Sequence, residues 1–241
     1  MIENLNKING LDIKESALDK EDGSTPKLLE ISRELQANLK ISGSSPLDSV
    51  LQAITNILCD ASQNEPWWDH VYTLRHYIDW LYIHSINVSI ISLMIAEALD
   101  LKPQLDDIAL GAILHDIGKL AIPKKIVQKP GKLNEEEQFY MRHHCELGLS
   151  MTTGCGLSGI SVDIIEQHHE RLDGSGYPRG LTDAQIPLHA RIVLMADVID
   201  AMTSYRPYKK PKQIEDVVGE LRREKSKYPQ DILEVFRSLL L

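Results

Sequence analysis

From Lys27 to Ile41 the apolar residues Leu28, Ile31, Leu35 and Leu39 recur at helical spacing, which predicts an amphipathic helix. Ser42-Gly43-Ser44-Ser45-Pro46 interrupts the pattern. It reads as a stop, a linker and a new start, with Ser45 as N-cap and Pro46 at the first helical position. A second helix follows, carrying Leu47, Val50, Leu51, Ile54 and Leu58 on one stripe. Packing on the main domain and pairing between chains are both open to these two helices. Residues 1–26 are polar and end in Asp22-Gly23-Ser24-Thr25-Pro26, so disorder or loose helix is expected there. From about Glu65 onward helical patterns succeed one another, and no alternating run of useful length breaks them. The expected fold class is all-α, with a small helical extension over residues 1–65 and one helical domain over 66–241.

Polar residues placed on the apolar stripes change this picture. Ile108, Gly111, Ala112, His115 and Asp116 fall at i, i+3, i+4, i+7 and i+8. His115 and Asp116 therefore point where the helix should bury its core face. Gly118 is expected to stop that helix. His84 shares a stripe with Val88, Ile91 and Ile95. Asn134 and Glu137 have capping-box spacing, and the helix they open puts Tyr140, Met141 and His144 together. Ile160, Ile164 and Ile165 lead to His168 and His169, and Pro187 opens a helix in which Ala190, Val193, Leu194 and Asp197 share a face, with Asp200 one turn further. One such histidine is ordinarily a satisfied core or surface residue. Recurrence on separate helices is different, because an ionised carboxylate in a core needs a cation. Imidazoles and carboxylates converging from several helices suit borderline metals such as iron, manganese or zinc.

Composition narrows the partners. Of 241 residues, 43% are hydrophobic and 25% charged, the balance of a globular protein. A formal charge of −9 argues against broad binding to nucleic-acid polymers, which takes a basic face. It leaves room for a small anion held by local cations. Cys59, Cys145 and Cys155 are too few and too scattered for a disulfide framework and read as free thiols of a reducing cytoplasm. The start, MIENLNKING, lacks the apolar core of a signal peptide. Trp80 to Ala96 is uncharged but slightly short of a membrane span, and it contains His84, Ser85, Asn87, Ser89 and Ser92. A buried helix, no membrane partner and a cytoplasmic location are expected.

After the histidine pair comes Glu170-Arg171-Leu172-Asp173-Gly174-Ser175-Gly176-Tyr177-Pro178-Arg179-Gly180. Three glycines and a proline specify a tight irregular loop, in which a tyrosine can hydrogen-bond or stack on a base. His115-Asp116-Ile117-Gly118-Lys119 resembles the HD motif, and His168-His169-Glu170, Asp173-Gly174 and Gly176-Tyr177-Pro178 resemble the HHExxDGxGYP signature. Together they resemble the HD-GYP cyclic di-GMP phosphodiesterases, members of the HD superfamily of metal-dependent phosphohydrolases. The resemblance runs from about Trp67 to the C-terminus.

That resemblance implies an HD-type helical bundle that hydrolyses cyclic di-GMP to linear pGpG, and in some relatives onward to GMP. It implies two divalent metal ions, iron or manganese, and attack by a metal-bridging hydroxide on the clamped phosphate. Matching positions nominate His84, His115, Asp116, His144, His168, His169 and Asp197 as metal ligands. Asp116 would bridge, with His84, His115 and Asp197 on one metal and His144, His168 and His169 on the other. Lys119 would serve catalysis and hold phosphate, Arg206 and Lys209 would bind further phosphate, and Tyr177 would line the guanine or ribose side. Some relatives hold a third metal through a glutamate one turn before the first histidine; here that position is Trp80, so two metals are expected. A second reading is a module that binds a cyclic dinucleotide or a partner protein with little turnover. Homodimers through the N-terminal helices, or signalling partner proteins, are the assemblies this organisation suggests.

Overall fold

The computed structural model describes residues 45–58, 65–205 and 210–240; Cys59, Arg206, Lys209 and the helix expected over 27–41 lie outside them. The described residues form α1 (Ser45–Leu58), α2 (Trp68–Tyr77), α3 (Asp79–Ala98), α4 (Leu105–Leu114), α5 (Lys124–Val127) and α6 (Glu135–Arg142). There follow α7 (His144–Met151), α8 (Gly159–Gln167), α9 (Leu188–Thr203), α10 (Ile214–Arg223) and α11 (Gln230–Ser238). No strand occurs among them, and Asp173 and Thr182 form an isolated bridge. The fold is all-α.

The apolar stretch around His84 is the central helix, α3. From Leu81 to Ala96 every residue except Ile83 is buried, because helices α1, α2, α4, α9 and α11 all pack against α3. Burial of each isoleucine or leucine contributes roughly 1.5–3 kcal/mol, and Ile86, Ile90, Ile91, Leu93 and Ile95 are fully inaccessible. The helix is long and apolar enough to cross a membrane, yet 83% of that window is buried inside the protein. Its serines do not interrupt the packing: Ser89 donates to the Ala109 carbonyl of α4 at 3.3 Å. A left-handed residue ends α3. Asp100 has φ 60°, Leu101 N–H reaches the Ala96 carbonyl at 2.9 Å and Asp100 N–H that of Glu97 at 3.0 Å, the Schellman pattern.

The second N-terminal helix expected from the sequence is α1. Val50, Leu51, Ile54, Ile57 and Leu58 are buried in the same core as α3 and α4, so this helix packs on the main body. On the far side of α4 lies α8, held close by a small residue. A Cβ on Gly111 would stand 2.9 Å from the Ser161 Cα, and Ser161 donates to the Asp107 carbonyl at 2.7 Å.

Two local expectations are corrected. First, α4 ends at Leu114, and residues Ile117–Ala121 continue as a 3₁₀ turn. Gly118 therefore does not stop the helix. It lets the turn approach α7, since a Cβ there would overlap the His144 carbonyl oxygen and sit 2.8 Å from the His144 carbonyl carbon. Second, Tyr140 and His144 do not share a core stripe. The predicted capping box does form, with Asn134 Oδ1 accepting from Glu137 N–H and Glu137 Oε2 accepting from Asn134 N–H, both at 2.8 Å. But α6 buries none of its residues and Tyr140 is exposed. His144 is buried because a new helix, α7, begins at it.

Gly118→Ala is expected to lower stability by about 1–3 kcal/mol, because backbone atoms rather than a flexible side chain must yield. The urea midpoint of the metal-free protein reads this directly; an unchanged midpoint would contradict the close approach.

Candidate metal centre

Five parts of the chain bring the predicted side chains to one place. His84 comes from the middle of α3, His115 and Asp116 from the end of α4, His144 from the first residue of α7, His168 and His169 from just beyond α8, and Asp197 from α9. Their ligand atoms form two groups, Asp116 with His144, His168 and His169, and His84 with His115 and Asp197, each within 4.8 Å. The Asp116 carboxylate lies between them. Its Oδ2 faces His84 Nε2 at 3.7 Å and His115 Nε2 at 3.4 Å, and its Oδ1 faces His144 Nε2 at 3.4 Å and His168 Nε2 at 3.9 Å. Asp197 also reaches both groups, with Oδ1 at 3.1 Å from His84 Nε2 and Oδ2 at 3.6 Å from His169 Nδ1.

The histidine hydrogen bonds decide which nitrogen is free. His115 Nδ1 donates to the Ala112 carbonyl at 2.7 Å, His144 Nδ1 to that of Met141 at 2.7 Å, and His168 Nδ1 to those of Ile164 and Ile165 at 3.1 and 3.2 Å. A carbonyl only accepts, so each neutral ring carries its proton on Nδ1 and turns the Nε2 lone pair inward. His144 Nε2 and His168 Nε2 then face each other at 3.1 Å with no proton to share. His115 Nε2 and Asp116 Oδ1 are buried with no hydrogen-bond partner among the described residues. Buried polar atoms are rarely left so. A cation in each group would satisfy all four, and the donor set of imidazole and carboxylate fits divalent metals.

The electrostatics agree. Burial works to raise the Asp116 carboxyl, but Lys119, His115 and His144 overcome it and hold the group well below the usual carboxylate range. Lys119 Nζ lies 2.5 Å from Asp116 Oδ2. Burial likewise opposes ionisation of Asp197, and the adjacent His84 ring outweighs it, with help from His169 and His115. Burial pushes His144 down from 6.5 to about 4, with Lys119 adding to the effect. His168 and His169 are also depressed, again first by burial. Anionic carboxylates beside neutral imidazoles are the protonation state in which metal ligands bind.

The glycine-rich loop closes one side of this cluster. Glu170 is fully buried, and its carboxylate accepts from Arg179 N–H at 2.7 Å and Leu181 N–H at 2.8 Å. Gly176 passes so close that a Cβ would sit 2.4 Å from the Glu170 Cα and overlap the Arg171 backbone nitrogen. The fold of the loop sets Tyr177 against His169, ring centroids 4.7 Å apart. Arg142, from α6, stands 5.5 Å over the Tyr177 ring.

The HD domain family matches residues 61–232, well over half of the sequence. The chain belongs to the HD domain family. It is 44% identical over 134 residues to the cyclic di-GMP phosphodiesterase PA4108 of Pseudomonas aeruginosa, covering 55% of this chain and 32% of that protein. It is 39% identical over 160 residues to a cyclic di-GMP phosphodiesterase of Thermotoga maritima, covering 65% of this chain and 44% of that one. The chain thus spans less than half the length of either relative. The solved structure of Bd1817, a HDG"Y"P protein from Bdellovibrio bacteriovorus, superposes with a TM-score of 0.60 over 93% of this chain and 76% of that one. At 18% identity that similarity speaks to the fold.

In this HD domain three further residues hold the site together in ways that their sequence positions do not assign. Asp200 shares the helix of Asp197, and its Oδ2 accepts from His84 Nδ1 at 2.5 Å. A carboxylate one turn beyond Asp197 on an apolar face was the signal. Glu170 lay inside the signature and ties the loop; Arg142 had no sequence signal at all. Arg206 and Lys209 fall outside the described residues.

Acidification tests the buried imidazoles. Because His144 is lowered from 6.5 to about 4, the unfolded chain binds protons across that window that the folded, metal-free chain refuses. The stability they confer is present above 6.5 and lost as pH falls toward about 4, with depressed Asp116 and Asp197 extending the loss below 3.8. Urea midpoints of the metal-free protein should therefore fall through this window. A flat or rising profile would contradict the arrangement.

Proposed function

We propose that the chain is a metal-dependent phosphodiesterase that hydrolyses cyclic di-GMP to linear pGpG or onward to GMP. The observation that carries the reading is Asp116, whose two oxygens face two separate groups of metal-ligating atoms. In this reading two divalent ions, iron or manganese, occupy the centre. His84, His115 and Asp197 would hold one, His144, His168 and His169 would hold the other, and Asp116 would serve both. The relatives in P. aeruginosa and T. maritima, named as cyclic di-GMP phosphodiesterases, support the substrate class.

Bound divalent ions supply Lewis acidity, which polarises a phosphodiester and acidifies water. The protein's own residues do the rest. Lys119, whose ammonium lies on Asp116 Oδ2, offsets negative charge that builds on the phosphoryl oxygens. Arg206 and Lys209 hold further phosphate oxygens. Tyr177, set against His169, lines the guanine or ribose side, and Arg142 over its ring lies where a base can be reached. Trp80 stands one turn before His84 and offers no metal ligand, so this reading has two metals rather than three. Residues 66–241 form the catalytic domain and residues 1–65 a cytoplasmic extension whose helix α1 docks on it.

The test is purification without oxygen, metal analysis, and chromatography of a cyclic di-GMP digest, with a mixed cyclic dinucleotide as competitor. About two metals per chain and cleavage to pGpG or GMP are expected. Asp116→Ala, checked for folding by circular dichroism, should abolish turnover; full turnover in that variant would sink the assignment. Lys119→Ala should lower kcat by roughly 100- to 1,000-fold while metal content holds.

A further inference from the structure

The histidines of the centre are not held alike. His115, His144 and His168 each donate Nδ1–H to a neutral backbone carbonyl. His84 donates to a carboxylate, Asp200 Oδ2, at 2.5 Å. Both residues are buried, at 3% and 1% exposure. Asp200 belongs to neither group of ligand atoms. Its other oxygen is turned away from the centre and accepts from Asn87 Nδ2 at 2.8 Å and Ser204 Oγ at 2.5 Å. Donors from α3 and from the end of α9 therefore fix this carboxylate from three directions.

We infer that Asp200 is a positioning residue that makes the metal position formed by His84, His115 and Asp197 the more firmly held of the two; this rests on the metal reading above. A carboxylate that accepts the Nδ1 proton fixes the ring and makes its Nε2 a stronger donor to a cation. The surrounding charge points the same way. Around His84 stand three carboxylates, Asp116, Asp197 and Asp200, against one ammonium, Lys119 on Asp116. Around His144, His168 and His169 stand two, Asp116 and Asp197. A buried carboxylate is also costly unless compensated, and a cation on the far side of His84 extends that compensation through the ring.

Asp200→Asn is the discriminating change. It keeps the shape and an acceptor oxygen but makes the acceptor neutral, like the carbonyls behind the other rings. The experiment reloads metal-free full-length protein with manganese(II) and strips it with increasing chelator, counting ions per chain. Wild type should lose its two ions in separate steps. Asp200→Asn should weaken the tighter step by about 10- to 100-fold and leave the looser step in place, merging the two. Ser204→Ala, which leaves Asp200 in place with one support fewer, should shift the tighter step in the same direction by less, and it serves if Asp200→Asn fails to fold. Two ions that leave wild type and both variants at the same chelator concentrations would overturn the inference while sparing the metal reading. Wild type that binds no manganese would overturn both.

Discussion

An ionised carboxylate buried among helices cannot be left without positive charge, and Asp116 is such a group, at 1% exposure. Its neighbours are the ammonium of Lys119 and the Nε2 atoms of four histidines. The cost of removing it from water is large compared with the net stability of a domain. Everything near it is arranged to meet that cost. Each histidine that surrounds it is oriented by a partner behind the ring, so that lone pairs rather than protons face the carboxylate. Lone pairs alone repel one another and the carboxylate, which is why the cluster reads as a cation site and not as a closed hydrogen-bond network.

Holding five chain segments at this one point requires backbones to come closer than side chains ordinarily permit. Gly118 brings the turn after Asp116 against the first residue of α7, which is His144. Gly111 does the same between α4 and α8, the helix that delivers His168 and His169. Packing and chemistry are thus joined: the glycines that allow helices to touch also set the spacing of the clustered histidines and aspartates. The central helix α3 supplies the rigid reference, since nearly its whole surface is buried and His84 has no freedom to follow a misplaced partner.

Beyond the ligands, the loop from Glu170 to Leu181 is organised by an internal carboxylate rather than by secondary structure. Glu170 ties two backbone N–H groups, and Tyr177 is left against His169 at the edge of the centre. The proposed activity uses both features, a dry charged interior for the phosphate and an aromatic rim for the base or ribose. Arg142, on a helix with no buried residue, adds a cation to that rim without belonging to the core.

The sequence by itself determined the all-α class, the central burial of the stretch around His84 and the residues that could act together. Periodicity sufficed because histidines and aspartates that recur on the apolar stripes of several helices are anomalous together, whatever the tertiary context. It did not suffice for His144, which reaches the core through a helix break at His143 that the apolar pattern hides. Nor did it yield the purpose of Gly118, since a helix stop and a close approach call for the same residue. Only the tertiary structure decided that Asp116 turns one oxygen to each group of ligands, and that Asp200 stands behind His84 from 116 residues away. Those are matters of which helix faces lie opposite one another, and the spacing of residues along a single helix carries no information about its neighbours.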